Sequence, residues 1–350
     1  MEISTPGRIC LFGEHQDYLG LPVIAMGISL RARLTGEKRS DKRVVIHKPD
    51  LNEVEEFSLE DLTYTKPRDY FRSGIAVCKD EGLVFSNGFE CEIQSNIPIA
   101  AGTSSSSAIT VSWIHFLTKM ADEPSLYDQK KIGELAYRAE VLEFNEPGGM
   151  MDQYSTAIGN TIYLESEPEI SVVILKPDFG TFVLGDSCEP KDTMKVLKRC
   201  RDLRFEIIKK IKRTDPGFSI GSFNGEAFPS ILRQDEKKLL NGTIKNRDLL
   251  VKALSLLGSQ NLDHWRLGKY LDEHHAVLRD TLSVSTPKIE SMLVSAKNAG
   301  ALGGKINGSG GGGCMFAYAP DNPEAVAEAI ESVGGKAYIM SSGDGTKLSI

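Results

Sequence analysis

An α+β fold in two domains is what this sequence predicts, and three observations carry it. Strand-like and helix-like segments are interspersed through the first half, charged amphipathic helices dominate the middle, and a strand–helix–strand unit ends the chain. The character changes within 165–190, so the domains are expected over 1–180 and 181–350. A chain of 350 residues with 41% hydrophobic content can bury a core for each.

Taken in order, Ile3–Phe12 carries β-type residues around Pro6-Gly7 and reads as a strand. A densely polar stretch, Gly13–Tyr18, separates it from Val23–Leu34 and Val44–His47, both read as strands. Phe89–Gln94 alternates apolar and polar residues, as a half-buried strand does. Ile97–Ala101 is an apolar approach to Gly102 and the small hydroxyl run Thr103–Ser107. The segment Ile109–Leu117 then has helical apolar spacing at Val111, Ile114 and Leu117. Tyr127–Phe144 is helical, with Ile132, Leu135, Ala136, Ala139 and Leu142 on one face, and Pro147-Gly148-Gly149 ends it. Asp152–Ile158 reads as a short helix, and Thr161–Leu164, Ser171–Lys176 and Thr181–Leu184 as strands. Four long helices are expected over 190–213, 228–257, 261–281 and 287–299. The glycine-rich run 303–313 precedes a strand at Met315–Tyr318, a helix at Asn322–Val333 and strands at Ala337–Met340 and Thr346–Ile350. There is no internal repeat.

Charge and cysteine usage narrow the function. A formal net charge of −7, with no Lys/Arg stripe, argues against nucleic acid as the main partner, while 41 basic residues leave room for a local nucleotide pocket. Six scattered cysteines without a CxxC pair suit a reducing compartment better than a disulfide framework. The first twelve residues lack the features of a signal peptide, and no apolar run reaches the roughly 18 residues that span a bilayer, so a soluble cytoplasmic protein without a membrane partner is expected.

Small residues feeding a helix leave backbone N–H groups unpaired at the positive end of its dipole, an anion site that phosphate commonly occupies. Thr103–Ser107 fits that description, though a Ser-rich cap or linker reads the same way, and no Lys directly precedes the hydroxyl residue as a Walker A loop requires. Glu14, His15 and Asp17 form a polar knot after the first strand, able to hydrogen-bond the adjacent hydroxyls of a sugar or simply to make a polar turn. A metal site there is disfavoured, because Glu-His-x-Asp lacks a second His at helical or hairpin spacing. Glu140, Glu143 and Asp152 are each open to a bland reading, as a solvated helix face or a cap. The second glycine run would allow close backbone approach to a ligand.

Together these pieces resemble the GHMP small-molecule kinases, and within them the galactokinase-like sugar kinases. Pro6–Tyr18 is similar to the motif PGRVNLIGEHTDY, Pro98–Ala108 to PxGAGLSSSAA, and Lys305–Cys314 to KxTGGGxGGC. Between them, Gly148–Tyr154 resembles GIMDQF and His275–Asp280 resembles HxSLRD. The resemblance implies an N-terminal domain like the second domain of ribosomal protein S5, a ferredoxin-like C-terminal domain, and an active site between them. It implies ATP and Mg²⁺ as cofactors, with Gly102, Thr103, Ser104, Ser105, Ser106, Ser107 and Ala108 wrapping the phosphates. Asp152 corresponds to the catalytic aspartate, and Arg8 to the arginine beside it that helps neutralise the moving phosphoryl group. Glu14, His15 and Asp17 correspond to sugar-hydroxyl ligands; Ser105 or Ser106 with Glu140 to the metal ligands; and Gly308, Gly310 and Gly312 to the supporting glycine loop.

The implied activity is phosphoryl transfer from ATP to a monosaccharide hydroxyl, the anomeric one being acidic enough for a carboxylate base. Gln16 replaces Thr in the first motif, the segment after it is short, and Gly185–Val196 lacks a tyrosine that galactokinases use on the sugar. The acceptor is therefore expected to be galactose or a related hexose, pentose or uronic acid. Two alternatives stand beside it: a mevalonate- or homoserine-type kinase, against which Arg8 speaks because mevalonate kinases carry Lys there, and a non-catalytic sensor of sugar and ATP. A complete phosphate loop together with Arg8, Glu140 and Asp152 favours catalysis.

Overall fold

Two sheets organise the chain, seen here in a computed structural model that describes residues 1–99, 101–226 and 228–349. Ala100, in the apolar approach to the serine run, and Ile350, at the end of the expected final strand, lie outside the described residues. The first sheet is built on β1 (Glu2–Phe12) and the long β2 (Val23–Lys38), both rich in β-branched and aliphatic residues. Then come β3 (Arg43–Lys48), β4 (Glu53–Ser58), α1 (Tyr70–Asp80), β5 (Phe89–Ser95), α2 (Ser105–Met120), α3 (Gln129–Tyr137) and α4 (Met151–Ile158), followed by β6 (Thr161–Glu165) and β7 (Ser171–Leu175). One edge of β2 serves two strands, β6 along Val23–Met26 and β5 along Ala32–Lys38, while β1 covers its other edge. Helices α1 to α3 cover the distal half of this sheet, where Trp113 and Phe116 of α2 stack and meet Phe71 and Phe89 edge to face.

The second sheet holds β8 (Phe182–Asp186), β9 (Gly303–Asn307), β10 (Cys314–Tyr318) and β11 (Lys336–Met340) in the antiparallel order β11-β8-β10-β9. In chain order that is 4-1-3-2, the arrangement of a ferredoxin-like sheet. Four helices, α5 (Thr193–Lys212), α6 (Gln234–Leu257), α7 (His264–Asp280) and α8 (Pro287–Asn298), lie between β8 and β9; α9 (Pro323–Ser332) lies between β10 and β11. No described helix is long and apolar enough to cross a membrane. One apolar cluster joins Ile9, Leu11 and Phe12 to Phe182, Phe316, Tyr318 and Leu250, so the two sheets share a core. That shared core fixes the loop after β1 against the loop after β9.

The structure departs from the expectations in five places. Strand β4 and helix α1 fall where the sequence pattern suggested neither, and residues 303–307 form the buried β9, which shortens the glycine loop to 308–313. The helix expected over Tyr127–Phe144 ends at Tyr137 and continues as one wide turn, Arg138–Leu142, in which the Glu143 amide reaches back to the Arg138 carbonyl. Finally, β12 (Lys347–Ser349) crosses back to pair with β1, so the boundary at 180/181 assigns to the second domain a strand that belongs to the first sheet. A short pattern cannot announce that return, because its partner lies at the other end of the chain.

Candidate active site

Four loops converge between the sheets around a cavity of about 450 Å³. The loop after β1 brings Glu14 to Tyr18, the serine run opens α2, the Pro147–Met150 turn opens α4, and the loop after β9 brings Gly308 and Ser309. The serine and glycine loops touch backbone to backbone: a Cβ on Gly308 would sit 2.7 Å from the Gly102 carbonyl oxygen. Both glycines have positive φ, so no other residue type would allow this approach without strain. Asn307 ties the junction, donating Nδ2 to the Gly102 carbonyl at 2.8 Å and accepting the Cys10 amide at 2.9 Å.

Arg8 and Asp152 form the central pair. Arg8 donates Nε and Nη2 to the same oxygen, Asp152 Oδ1, at 2.9 and 2.7 Å, which leaves Oδ2 without a partner among the described residues. Arg8 is buried by β1 and β2, whereas the Asp152 side chain keeps 34% exposure at the start of α4. Beside them Asp17 lies against the Gly149 backbone, where a Cβ would fall 2.0 Å from its Oδ2. Burial and then the negative charge of Asp152 push the Asp17 carboxyl up to about 6.

The other two residues of the polar knot are committed to the protein. Glu14 Oε2 accepts from the Lys305 ammonium at 2.7 Å in a fully buried ion pair. Lys305 also donates to the Cys10 carbonyl at 2.9 Å. His15 faces the Ser309 carbonyl through Nε2 and the Tyr18 hydroxyl through Nδ1, each at 3.0 Å. A carbonyl only accepts, so Nε2 carries the proton and Nδ1 accepts from Tyr18, whose oxygen in turn accepts from Arg204. Burial, then the charge of Arg204, lowers the His15 pKa to about 3, so the ring stays neutral. With both nitrogens used, His15 ties the loop after β1 to the glycine loop and offers no free nitrogen to a sugar hydroxyl.

At the start of α2, Ser104 has a left-handed backbone (φ +58°), and its buried hydroxyl has no partner among the described residues. The first-turn amides of Ser105, Ser106 and Ser107 have no intrahelical acceptor, as at any helix start. Gly102, Ser104, Ser105 and Ser106 line the cavity. Thr103 and Ala108 are fully buried away from it: Thr103 donates its hydroxyl to the Pro98 carbonyl and accepts the Arg8 amide. In the glycine loop only Gly308 and Ser309 face the cavity; Gly310 packs on Val284, and Gly312 on the Glu189 and Pro190 carbonyls.

Glu140 projects into the cavity from the wide turn, a feature common at functional sites. Burial pushes its carboxyl up to about 7, while hydrogen bonds from Gln153, Ser107 and Ser106 pull the other way. The Gln153 amide donates to Glu140 Oε2 at 2.7 Å, and its own Oε1 is buried without a partner among the described residues. A buried carboxylate beside two serine hydroxyls is a hard-oxygen donor set suited to Mg²⁺ completed by phosphate and water. Ser106 and Ser107 neighbour this carboxyl; Ser105, offered by the sequence as a ligand, lines the cavity without being among the groups that act on it.

Three participants escaped the sequence reading. Lys305 belonged to the third motif but had no assigned partner, because Glu14 is 291 residues away. Arg204 lies within the charged α5, indistinguishable there from solvated neighbours. Lys191 was seen only as part of a poorly matching segment, yet it lines the cavity between the two glycine-bearing loops.

Comparison with known proteins bears on the family and the fold. Residues 69–160 match the GHMP kinases N terminal domain, residues 251–336 the GHMP kinases C terminal domain, and residues 2–38 the galactokinase galactose-binding signature. The mevalonate kinase of Thermococcus gammatolerans is 30% identical over 346 residues, covering 96% of this chain and 94% of that one. The galactokinase of Actinobacillus succinogenes is 26% identical over 357 residues, covering 94% of this chain and 88% of that one. In three dimensions the Lactococcus lactis galactokinase complexed with galactose has the same fold, with a TM-score of 0.88 at 23% identity over 99% of this chain and 94% of that one.

Proposed function

This chain belongs to the GHMP kinases, and we propose that it transfers the γ-phosphoryl group of ATP, with Mg²⁺, to a hydroxyl of a monosaccharide, the anomeric one. The family makes it a phosphotransferase with an alcohol acceptor; the sugar is our reading. The observation that carries it is the Asp17–Asp152–Arg8 group, facing a helix N-terminus with an orphaned Ser104 hydroxyl across one cavity. A match to the galactose-binding signature over β1 and β2 supports a sugar at the Asp17 end.

In this reading the Ser104–Ser107 amides and the Ser104 hydroxyl bind phosphate oxygens. An adjoining, largely apolar cavity of about 190 Å³, lined by Leu51, Tyr70, Phe71, Ile93, Ile99 and Ile109, takes the base. Glu140 with the Ser106 and Ser107 hydroxyls would hold Mg²⁺, which would supply charge stabilisation to the phosphate oxygens. Arg8 fixes Asp152 through Oδ1, so that Oδ2 receives the acceptor proton. Asp17 accepts hydrogen bonds from sugar hydroxyls, and Glu14 shapes the floor while paired to Lys305. We assign most of the nucleotide and acceptor machinery to residues 1–180 joined by β12, with the remainder closing the cavity through Lys191, Gly308 and Ser309.

A second reading has its own support, since mevalonate kinases are among the relatives most similar to this chain. Release of ADP with ATP and Mg²⁺, measured against free sugars, uronic acids, mevalonate and homoserine, separates the two. Turnover on a sugar is expected; turnover on mevalonate alone overturns the sugar reading, and ATP binding without turnover on any acceptor points to a sensor.

A further inference from the structure

We propose that Lys191 is a further catalytic residue, whose ammonium binds the terminal phosphoryl group of the nucleotide from the junction of the two glycine-bearing loops. This rests on the kinase reading above. The ammonium lies where the two glycine-bearing loops meet: a Cβ on Gly102 would fall 2.8 Å from Lys191 Nζ, and one on Gly313 3.0 Å from it. Side chains at either position would displace it, so the bare backbone there makes room for the cation as well as for a ligand.

Charge accounting separates Lys191 from its neighbours. Arg8 is paired with Asp152, Arg68 with Glu146, and Lys305, just beneath the cavity floor, with Glu14. Lys191 lines the same cavity, and no oxygen among the described residues accepts from it in a hydrogen bond or ion pair. Burial lowers its pKa and outweighs the opposing influence of Cys314, Glu14 and Asp152, none of which bonds to it, while the charge of Arg8 acts in the same direction as burial. A desolvated cation without an anion is costly unless the ligand supplies one. The anion-binding amides of α2 and the orphaned Ser104 hydroxyl face the same space, which puts that ligand charge on phosphate.

During transfer, the bond from the acceptor oxygen to phosphorus forms as the bond to the β–γ bridging oxygen breaks. The electron pair leaves with ADP and the hydroxyl proton passes to Asp152. Lys191 carries part of the negative charge on the non-bridging oxygens, as Arg8 does from its own side. Charge of this kind is present in ATP and absent from ADP, and that difference gives a readout that needs no acceptor.

The test compares the full-length wild type with Lys191→Met and Lys191→Arg, measuring ATP and ADP binding by calorimetry and kcat on the accepted substrate. In Lys191→Met the preference for ATP over ADP is expected to fall about tenfold and kcat about 100-fold, with Lys191→Arg recovering most of both. An ATP-over-ADP preference within about twofold of wild type overturns the proposal, as does a loss confined to acceptor KM, which would move Lys191 to an acidic acceptor. If Lys191→Met does not fold, Lys191→Gln takes its place in the same comparison. Wild-type protein that binds ATP but phosphorylates nothing defeats the sugar reading while the binding arm still decides Lys191. Wild-type protein that binds neither nucleotide defeats both.

Discussion

Asp17→Asn replaces a carboxyl that the fold keeps partly protonated with a side chain that never ionises. Burial and the charge of Asp152 raise the Asp17 pKa from 3.8 to about 6. The folded state therefore holds the proton more tightly than the unfolded chain does. The resulting stability is fully present below about 4 and is lost as pH rises through about 6. Unscreened, that difference is worth about 3 kcal/mol. Asp17 retains some contact with water, and screening brings the expected value to about 1–2 kcal/mol. Urea unfolding of wild type and Asp17→Asn between about pH 4.5 and about pH 7.5 isolates the effect, since titrating groups that are not coupled to Asp17 cancel in the difference. The variant should gain on wild type as pH rises, by that amount, and level off above about 7. A stability difference that does not change with pH would refute the argument, because it would mean that Asp17 titrates alike in both states. The same ionisation should govern the acceptor, whose KM is expected to rise about tenfold per pH unit below about 6 in wild type alone.

Three shorter predictions address the remaining parts. Asp152→Asn should lower kcat by about 10³-fold or more while ATP affinity stays within about threefold, read by single-turnover kinetics and calorimetry; retained turnover removes Asp152 from proton transfer. Burial pushes the Glu140 carboxyl up to about 7, so Mg²⁺ binding there would displace a proton below that value. The Mg²⁺ concentration for half-maximal rate should then be about tenfold higher at pH 6 than at pH 8, a dependence that Glu140→Gln should abolish. Lys305→Met strands the Glu14 carboxylate in a dry site and should cost about 3–5 kcal/mol of stability in urea unfolding. Adding Glu14→Gln should return a large part of it, and a second substitution that only adds to the loss would show that the pair is not the source.

Where local periodicity or a contiguous motif carried the information, the sequence was readable. The serine run, the glycine loop, Arg8 and Asp152 were identified and do meet in one cavity. Helix α1 escaped because its buried face includes Arg72, Ser73 and Gly74, and the glycine is there to receive the edge of Trp113. Strand β4 escaped because its glutamates face Arg43, Lys48 and Lys66, so it looks like solvated chain. The role of His15 could not be read from Glu-His-x-Asp alone, since one ring partner, Tyr18, lies three residues on while the other, the Ser309 carbonyl, is 294 residues away. Lys191 has a signal only in retrospect: a lysine without a partner acid means something once burial is known, and burial is not a local property.

The return of β12 to β1 bears on how the protein is made. β1 carries Arg8, and its outer edge at Glu2–Ser4 pairs with Lys347–Ser349, more than three hundred residues downstream. Beneath that pairing Thr346 joins Thr5, Ser112 and His115 in one buried hydroxyl–imidazole cluster under α2. A ribosome that has finished β7 has thus emitted nearly all of the first sheet, but with an open strand edge and a half-built polar cluster inside it. The nascent chain must wait, exposed to chaperones and to other nascent chains, until the second sheet has been translated. Nonsense or frameshift lesions that spare every residue of the cavity but fall before 346 would therefore be read by the cell as folding defects.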